Sequence, residues 1–315
     1  MITSITLKPE NRKDYLPGGP LYPRMILLTT RRYRVMCPWR AWSRRHDNMV
    51  DLFACRSKLP TRAIGMTDVL SPSQVRTFAD CEVRWFYEHL LGLLDPPTAT
   101  MALDNAIRTA LMTNFRYKIE SKADIQTEGV VGLFRRAWKQ QRSAANFCED
   151  EVPQAIGKTG EALVCIYMHE VAPKIRPAAV ERPLCGIISS VRIRAQLDLM
   201  DKDGTIIDIR TAQGAPARVD HMQRFEWTTC SRLAEGSSGM VRADILVMGS
   251  TPQLITQKWE VSAADVQWTD ALYPLAQEAM RRGYYMPNRN SIHCSRHHCP
   301  CWRRCEQDFG GVVEP

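Results

Sequence analysis

The stretch AQLDLMDKDGTIIDIRT, residues 195–211, decides the fold. Alternation of apolar and polar residues runs up to Asp201, turn residues occupy Lys202, Asp203 and Gly204, and a second β-branched run follows. Period-two patterning on both sides of a Gly-containing loop predicts a β-hairpin. We expect its strands at 186–201 and 205–211. In the first, Val191, Ile193, Ala195, Leu197 and Leu199 share one face, and Arg192, Arg194, Gln196 and Asp198 share the other. In the second, Ile207 and Ile209 oppose Ile206, Asp208 and Arg210. A three-residue loop with Gly204 in the left-handed conformation sets the register and places Asp198 opposite Asp208. Like charges so placed repel unless a cation lies between them. A hard divalent ion such as Mg2+ accepts oxygen ligands and activates water for attack on a phosphate. The residues alone leave a second reading open, an ordinary hairpin with a polar solvent face.

Ahead of the hairpin the pattern is helical. Leu70-Ser71-Pro72-Ser73-Gln74-Val75 combines an N-cap serine, proline at the first helical position, a glutamine closing a capping box and an apolar staple. This helix is expected to run to Leu91, with Cys81 beside its apolar face. A second helix turns Leu103, Ala106, Ile107, Ala110 and Leu111 inward, and further helices are expected over 129–147 and 153–171. After the hairpin, strands at 241–247 and 257–261 and a helix over 263–282 complete the pattern.

Composition bounds what these elements build. The chain has 315 residues, 44% of them hydrophobic, enough for one large core and an appendage. It lacks long apolar runs and an apolar block near Met1, so we expect a cytoplasmic protein with no membrane partner. Eleven cysteines in such a chain suggest metal binding or burial more than a disulfide framework. The net charge of +8 is uneven: residues 1–65 hold 13 Lys or Arg against 4 Asp or Glu, whereas the remainder is close to neutral. We expect a domain over 66–315. The basic leader, 1–65, reads either as a loosely ordered arm touching nucleic-acid backbone or as a segment preceding a true start at Met66.

Five segments in order, LSPSQVRTFADCEVRWFYEHLLGL, LDNAIRTAL, VERPL, AQLDLMDKDGTIIDIRT and PNRNSIHCSRHHCPCWRRC, resemble the RecB-like exonuclease branch of the PD-(D/E)XK nucleases. The resemblance spans 70–309 and extends to relatives with an iron-sulfur cluster, the AddB-type and CRISPR-associated exonucleases. It implies an α/β fold of restriction-endonuclease type, with a mixed central sheet flanked by helices and a helical insertion before the hairpin. It further implies a metal-dependent DNA nuclease using Mg2+ or Mn2+, acting on single strands or duplex ends in repair, recombination or phage-related processing, with a helicase or recombination partner. The alternative is a binding or assembly module that kept the fold and lost the chemistry.

By the resemblance, Asp198 and Asp208 are the metal-binding acids, Arg210 stands at the active-site lysine, and Glu226 at the glutamine of the R-F-Q-x-x-x-Y helix. Gln223 is a substitute for Glu226. Glu181 is a supporting acid before the first strand, and Arg108 falls on the metal-binding histidine of G-x-x-x-H. Asp104, Ala195, Arg210 and Cys230 also depart from that pattern. Arginine stabilises phosphate charge but cannot act as a base. Cys294, Cys299 and Cys305 are spaced C-x4-C-x5-C; the resemblance joins Cys81 to them as thiolate ligands of a 4Fe-4S cluster. Zn2+ is the alternative, with His293, His297 and His298 as further donors. Cys37, Cys55, Cys148, Cys165, Cys185 and Cys230 read as ordinary small residues, and Cys301 as a spare thiol.

Overall fold

A computed structural model of the chain describes residues 68–93, 96–215, 219–249 and 251–314. The readings of the leader, including Cys37 and Cys55, lie outside the described residues. A short strand, β1 (Val69–Leu70), leads into α1 (Pro72–Asp80) and α2 (Glu82–Trp85), then a π-helical turn, Phe86–Leu90. The insertion comprises α3 (Ala99–Ser121), α4 (Thr127–Ala144) and α5 (Pro153–Glu170). Strands β2 (Pro177–Ile188), β3 (Val191–Asp201) and β4 (Ile206–Ala212) follow, then α6 (His221–Leu233), β5 (Met240–Val247), β6 (Gln253–Glu260), α7 (Ala263–Arg282) and α8 (Trp302–Phe309).

The sheet is mixed. β1 runs parallel to β3 and β4 parallel to β5, while the β2–β3, β3–β4 and β5–β6 pairs are antiparallel. Leu199, Ile207, Ile209 and Leu246 pack with the insertion, where Leu103, Ile107, Leu111, Phe134 and Tyr167 are buried. Ala195, Leu197, Ile206, Val241 and Ile245 instead pack with Trp227 of α6. The insertion is also tied to the sheet by polar contacts: the fully buried Asp244 accepts hydrogen bonds from Tyr167 on α5, Arg242 on β5 and Thr256 on β6. A buried carboxylate with three donors is satisfied without a metal.

The capping box at Ser71 and Gln74 is present in both directions. The expected continuous helix to Leu91 is not. Cys81 adopts an extended conformation, φ −154° and ψ 109°, between α1 and α2. At the break the tail supplies other donors: Asn288 Nδ2 bonds the Asp80 carbonyl at 2.8 Å, and the Asp80 side chain accepts from Ser291 at 2.6 Å.

A second correction concerns the first hairpin strand. Residues 186–201 are not one strand, because Ser189 and Ser190 take φ of 47° and 68° and turn the chain between β2 and β3. Two left-handed residues make the tight turn that suits strand twist, but Ser-Ser is a weak signal for it beside Asn-Gly. Glu181 therefore lies within β2, not before the first strand. The helix expected over 129–147 is α4, ending at Ala144, and β6 begins four residues before the expected 257.

Candidate active site

Strands β3 and β4 are joined by Lys202–Gly204. Gly204 has φ of 81°, and a Cβ there would lie 2.4 Å from the Gly236 carbonyl oxygen, so both conformation and space require glycine. The strands pair only at Leu199 with Ile207 and Met200 with Ile206. The next position in this register sets Asp198 opposite Asp208, and there the strands part; β1 lies beside β3 further along, at Arg192 and Ile193. The fork opens a cleft of about 640 Å³, whose walls include Arg108, Arg194, Asp198, Asp208, Arg210 and Glu226.

Helix α3 brings Arg108 onto Asp198, donating from both terminal guanidinium nitrogens, Nη2 to Oδ1 at 2.6 Å and Nη1 to Oδ2. Arg210 Nε donates to Asp208 Oδ2, and so does Trp227 Nε1 from α6, at 2.9 Å. Glu226 Oε2 accepts from Arg210 Nη2 at 3.1 Å and from Arg76 Nη1 of α1 at 2.9 Å. Asp104, a residue read from the sequence only as a replaced glycine, ties α3 to β4 by accepting from the Thr211 backbone N–H and hydroxyl at 2.9 and 3.0 Å.

Four carboxylates thus face three guanidinium groups. Burial, reinforced by the charge of Asp208, pushes Asp198 up even though Arg108 opposes the shift. Burial acts the same way on Asp208, but Arg210 and the bond from Trp227 outweigh it and hold that carboxyl below its usual range. Burial among these acids drives the Cys230 thiol up to about 12, so it stays a neutral thiol in the cleft wall.

As arranged, these residues do not fit a divalent ion. Both oxygens of Asp198 are taken by Arg108, one oxygen of Asp208 carries two donors, and three guanidinium groups already offset most of the negative charge that an octahedral Mg2+ or Mn2+ would need. Arg108, expected at the histidine position, places its positive charge against Asp198. Glu181 falls opposite Asp198 in the β2–β3 register but pairs with Arg116 of α3. Gln223 lies on α6 outside the cleft lining, whereas Glu226 is part of it. Sequence reasoning passed over Arg76 and Trp227. The position of Trp227 beside Glu226 was the only signal for it.

The cysteines gather at the other end of α1. Cys81, Cys294, Cys299 and Cys305 line one pocket with Cys301, between the α1–α2 break and the tail. Burial raises Cys299 to about 11 and raises Cys294 and Cys305 as well, and the charge of Cys81 adds to all three. Among the described residues no three of these sulfurs lie within 4.8 Å of one another. Tyr87 donates to Asp308 at 2.6 Å and closes the pocket against α8. Cys165 packs beside the insertion core, Cys185 is exposed, and Cys301 is buried. Cys148 neighbours Asp150 and His297.

A sequence profile of the PD-(D/E)XK nuclease superfamily matches residues 69–306. The chain belongs to the PD-(D/E)XK nuclease superfamily. The match covers every element from β1 into α8, including both acids at the fork. Solved structures similar to this chain include the following two. One, a candidate exonuclease from Eubacterium rectale, has 12% identity and a TM-score of 0.47 over 75% of this chain and 84% of its own. The other, SSO0001, has 10% identity and a TM-score of 0.30 over 73% and 84%. No curated protein matches. Among the described residues no helix is long and apolar enough to cross a membrane.

Proposed function

We propose that this PD-(D/E)XK protein, of the RecB-like exonuclease branch, binds DNA across the cleft with arginines neutralising its former metal acids. The observation that carries the reading is the two-bond grip of Arg108 on Asp198. In this reading Arg210 faces a DNA phosphate as a fixed cation, Glu226 and Arg76 orient it, and Asp198 and Asp208 anchor the arginines. None of these groups can act as a general base while so paired, and arginine cannot be one at neutral pH. Hydrolysis is accordingly weak or absent.

Cys81, Cys294, Cys299 and Cys305 hold a 4Fe-4S cluster that fastens the tail to α1. Their C-x4-C-x5-C order lacks the C-x2-C knuckle usual at structural zinc sites, which supports the cluster over zinc.

A second reading is a metal-dependent DNA nuclease acting on ends or single strands. One observation favours it: Asp198 and Asp208 share a register position at an open fork, and the Arg108 side chain is 25% exposed, so it has room to swing away.

DNA binding tests the common ground. Arg194 lines the cleft, is exposed, and has no carboxylate partner among the described residues. With labelled single-stranded and duplex-end DNA in fluorescence anisotropy, we expect salt-dependent binding. Arg194→Ala should weaken it for every sequence and reduce the slope of log K against log salt by about 1. Undetectable binding at low salt would count against both readings.

A further inference from the structure

We propose that Cys148, Asp150 and His297 form a binding site for a zinc-class divalent ion, joining the loop after α4 to the C-terminal tail. One donor atom from each of the three lies within 4.8 Å of the others. A tight turn brings the first two together, with the Glu151 N–H bonded to the Cys148 carbonyl at 3.1 Å. A helical turn in the tail, with Cys299 N–H bonded to Ser295 O at 2.9 Å, presents His297 from the opposite side.

The orientation of the imidazole is a separate pointer to an ion. His297 Nδ1 faces Glu151 Oε1 at 3.5 Å, and His297 Nε2 faces Asp150 Oδ2 at 3.8 Å. The other Glu151 oxygen, Oε2, accepts from the Cys148 backbone N–H at 2.7 Å. With that carboxylate behind Nδ1, a proton held on Nδ1 would leave Nε2 to ligate, the arrangement by which outer carboxylates orient metal-binding histidines. Thiolate, imidazole and carboxylate together suit Zn2+ better than Mg2+ or Ca2+. Tetrahedral zinc places N, O and S donors roughly 3.4–3.6 Å apart, so the 3.8 Å between His297 Nε2 and Asp150 Oδ2 closes by a few tenths of an ångström. Asp150, with its side chain 75% exposed, can supply that movement. Three protein donors leave a fourth position for water.

The site lies outside the cleft and uses none of the four cysteines assigned to the cluster, so it stands whether or not the chain cleaves DNA. Its test is zinc titration of the metal-depleted full-length chain under reducing conditions, with elemental analysis after desalting. We expect Cys148→Ala to bind one equivalent of Zn2+ fewer than the parent. Glu151→Gln should keep the equivalent but weaken its affinity about 10- to 100-fold. In the cobalt-substituted protein, Cys148→Ala should lose part of the thiolate-to-cobalt absorbance while Asp150→Asn shifts its ligand-field bands. If circular dichroism shows Cys148→Ala unfolded, Asp150→Asn, altered only at an exposed side chain, decides the matter by its own loss of zinc affinity. Equal zinc stoichiometry and affinity in the parent and in the folded variants would overturn the proposal.

Discussion

Arg108→Ala is expected to lower folding stability by about 2–4 kcal/mol. Removing one partner of a fully buried pair costs about 3–5 kcal/mol because the other charge is left unmatched, and partial exposure of Arg108 reduces that figure. Asp198 is the charge left behind, its side chain only 13% exposed and already pushed up by burial and by Asp208. Without Arg108 its carboxyl moves further above the unfolded value. A carboxyl raised in the folded state costs stability that grows as pH climbs from the unfolded pKa through the folded one. The deficit of Arg108→Ala should therefore be largest near neutrality and shrink toward pH 4. Asp198→Asn added to Arg108→Ala should recover much of the loss. Denaturant unfolding of the parent, both single variants and the double variant measures the coupling, and a deficit independent of Asp198 would show that Arg108 acts only through packing. Mn2+ supplies a further readout: with the guanidinium gone, the freed acids should bind it, so Mn2+ should raise the Tm of Arg108→Ala more than that of the parent.

Cys81→Ala is expected to abolish iron binding and cost about 5 kcal/mol in the anaerobically purified protein. Cys81 and Cys294 are 213 positions apart, and a cross-link closing a loop of that length restricts the unfolded chain by about that amount in the chain-entropy treatment. The helix break that exposes Cys81 is held by Asn288 and Ser291 of the same tail, so loss of the cluster also loosens those contacts. Iron content, visible absorbance and melting temperature follow the change together. Retention of full iron content in Cys81→Ala would remove it from the ligand set.

The hairpin shows how far local rules reach. Period-two alternation and a loop requiring glycine at 204 were sufficient to set Asp198 against Asp208, because register follows from loop length and strand pattern. The early end of their ladder was not legible, since strand separation depends on β1 arriving beside β3 from more than a hundred residues away. The break at Cys81 was hidden for the same reason: the carbonyl before it is bonded by Asn288, a distant donor. Ser189-Ser190 illustrates a different limit, a turn made by residues that carry no strong turn preference. At the site, the sequence indicated that Arg108 and Arg210 replace other residues. It could not indicate that Arg108 spans both oxygens of Asp198, or that Arg76 and Trp227 complete the network, because those contacts join five separate elements.

The most direct test of the central claim, that guanidinium groups stand in for the metal, is a cleavage assay with the anaerobically purified full-length chain. Single-stranded and duplex DNA would be incubated with Mg2+ and with Mn2+, comparing the parent, Asp208→Asn, and Arg108→His combined with Arg210→Lys. Histidine is a neutral donor that frees Asp198, and lysine offers a compact ammonium where arginine presents a broad fork. We predict little or no metal-dependent cleavage by the parent, none by Asp208→Asn, and a clear gain in the double variant. Robust Mg2+-dependent cleavage by the parent, lost in Asp208→Asn, would contradict the claim and establish the chain as a working nuclease.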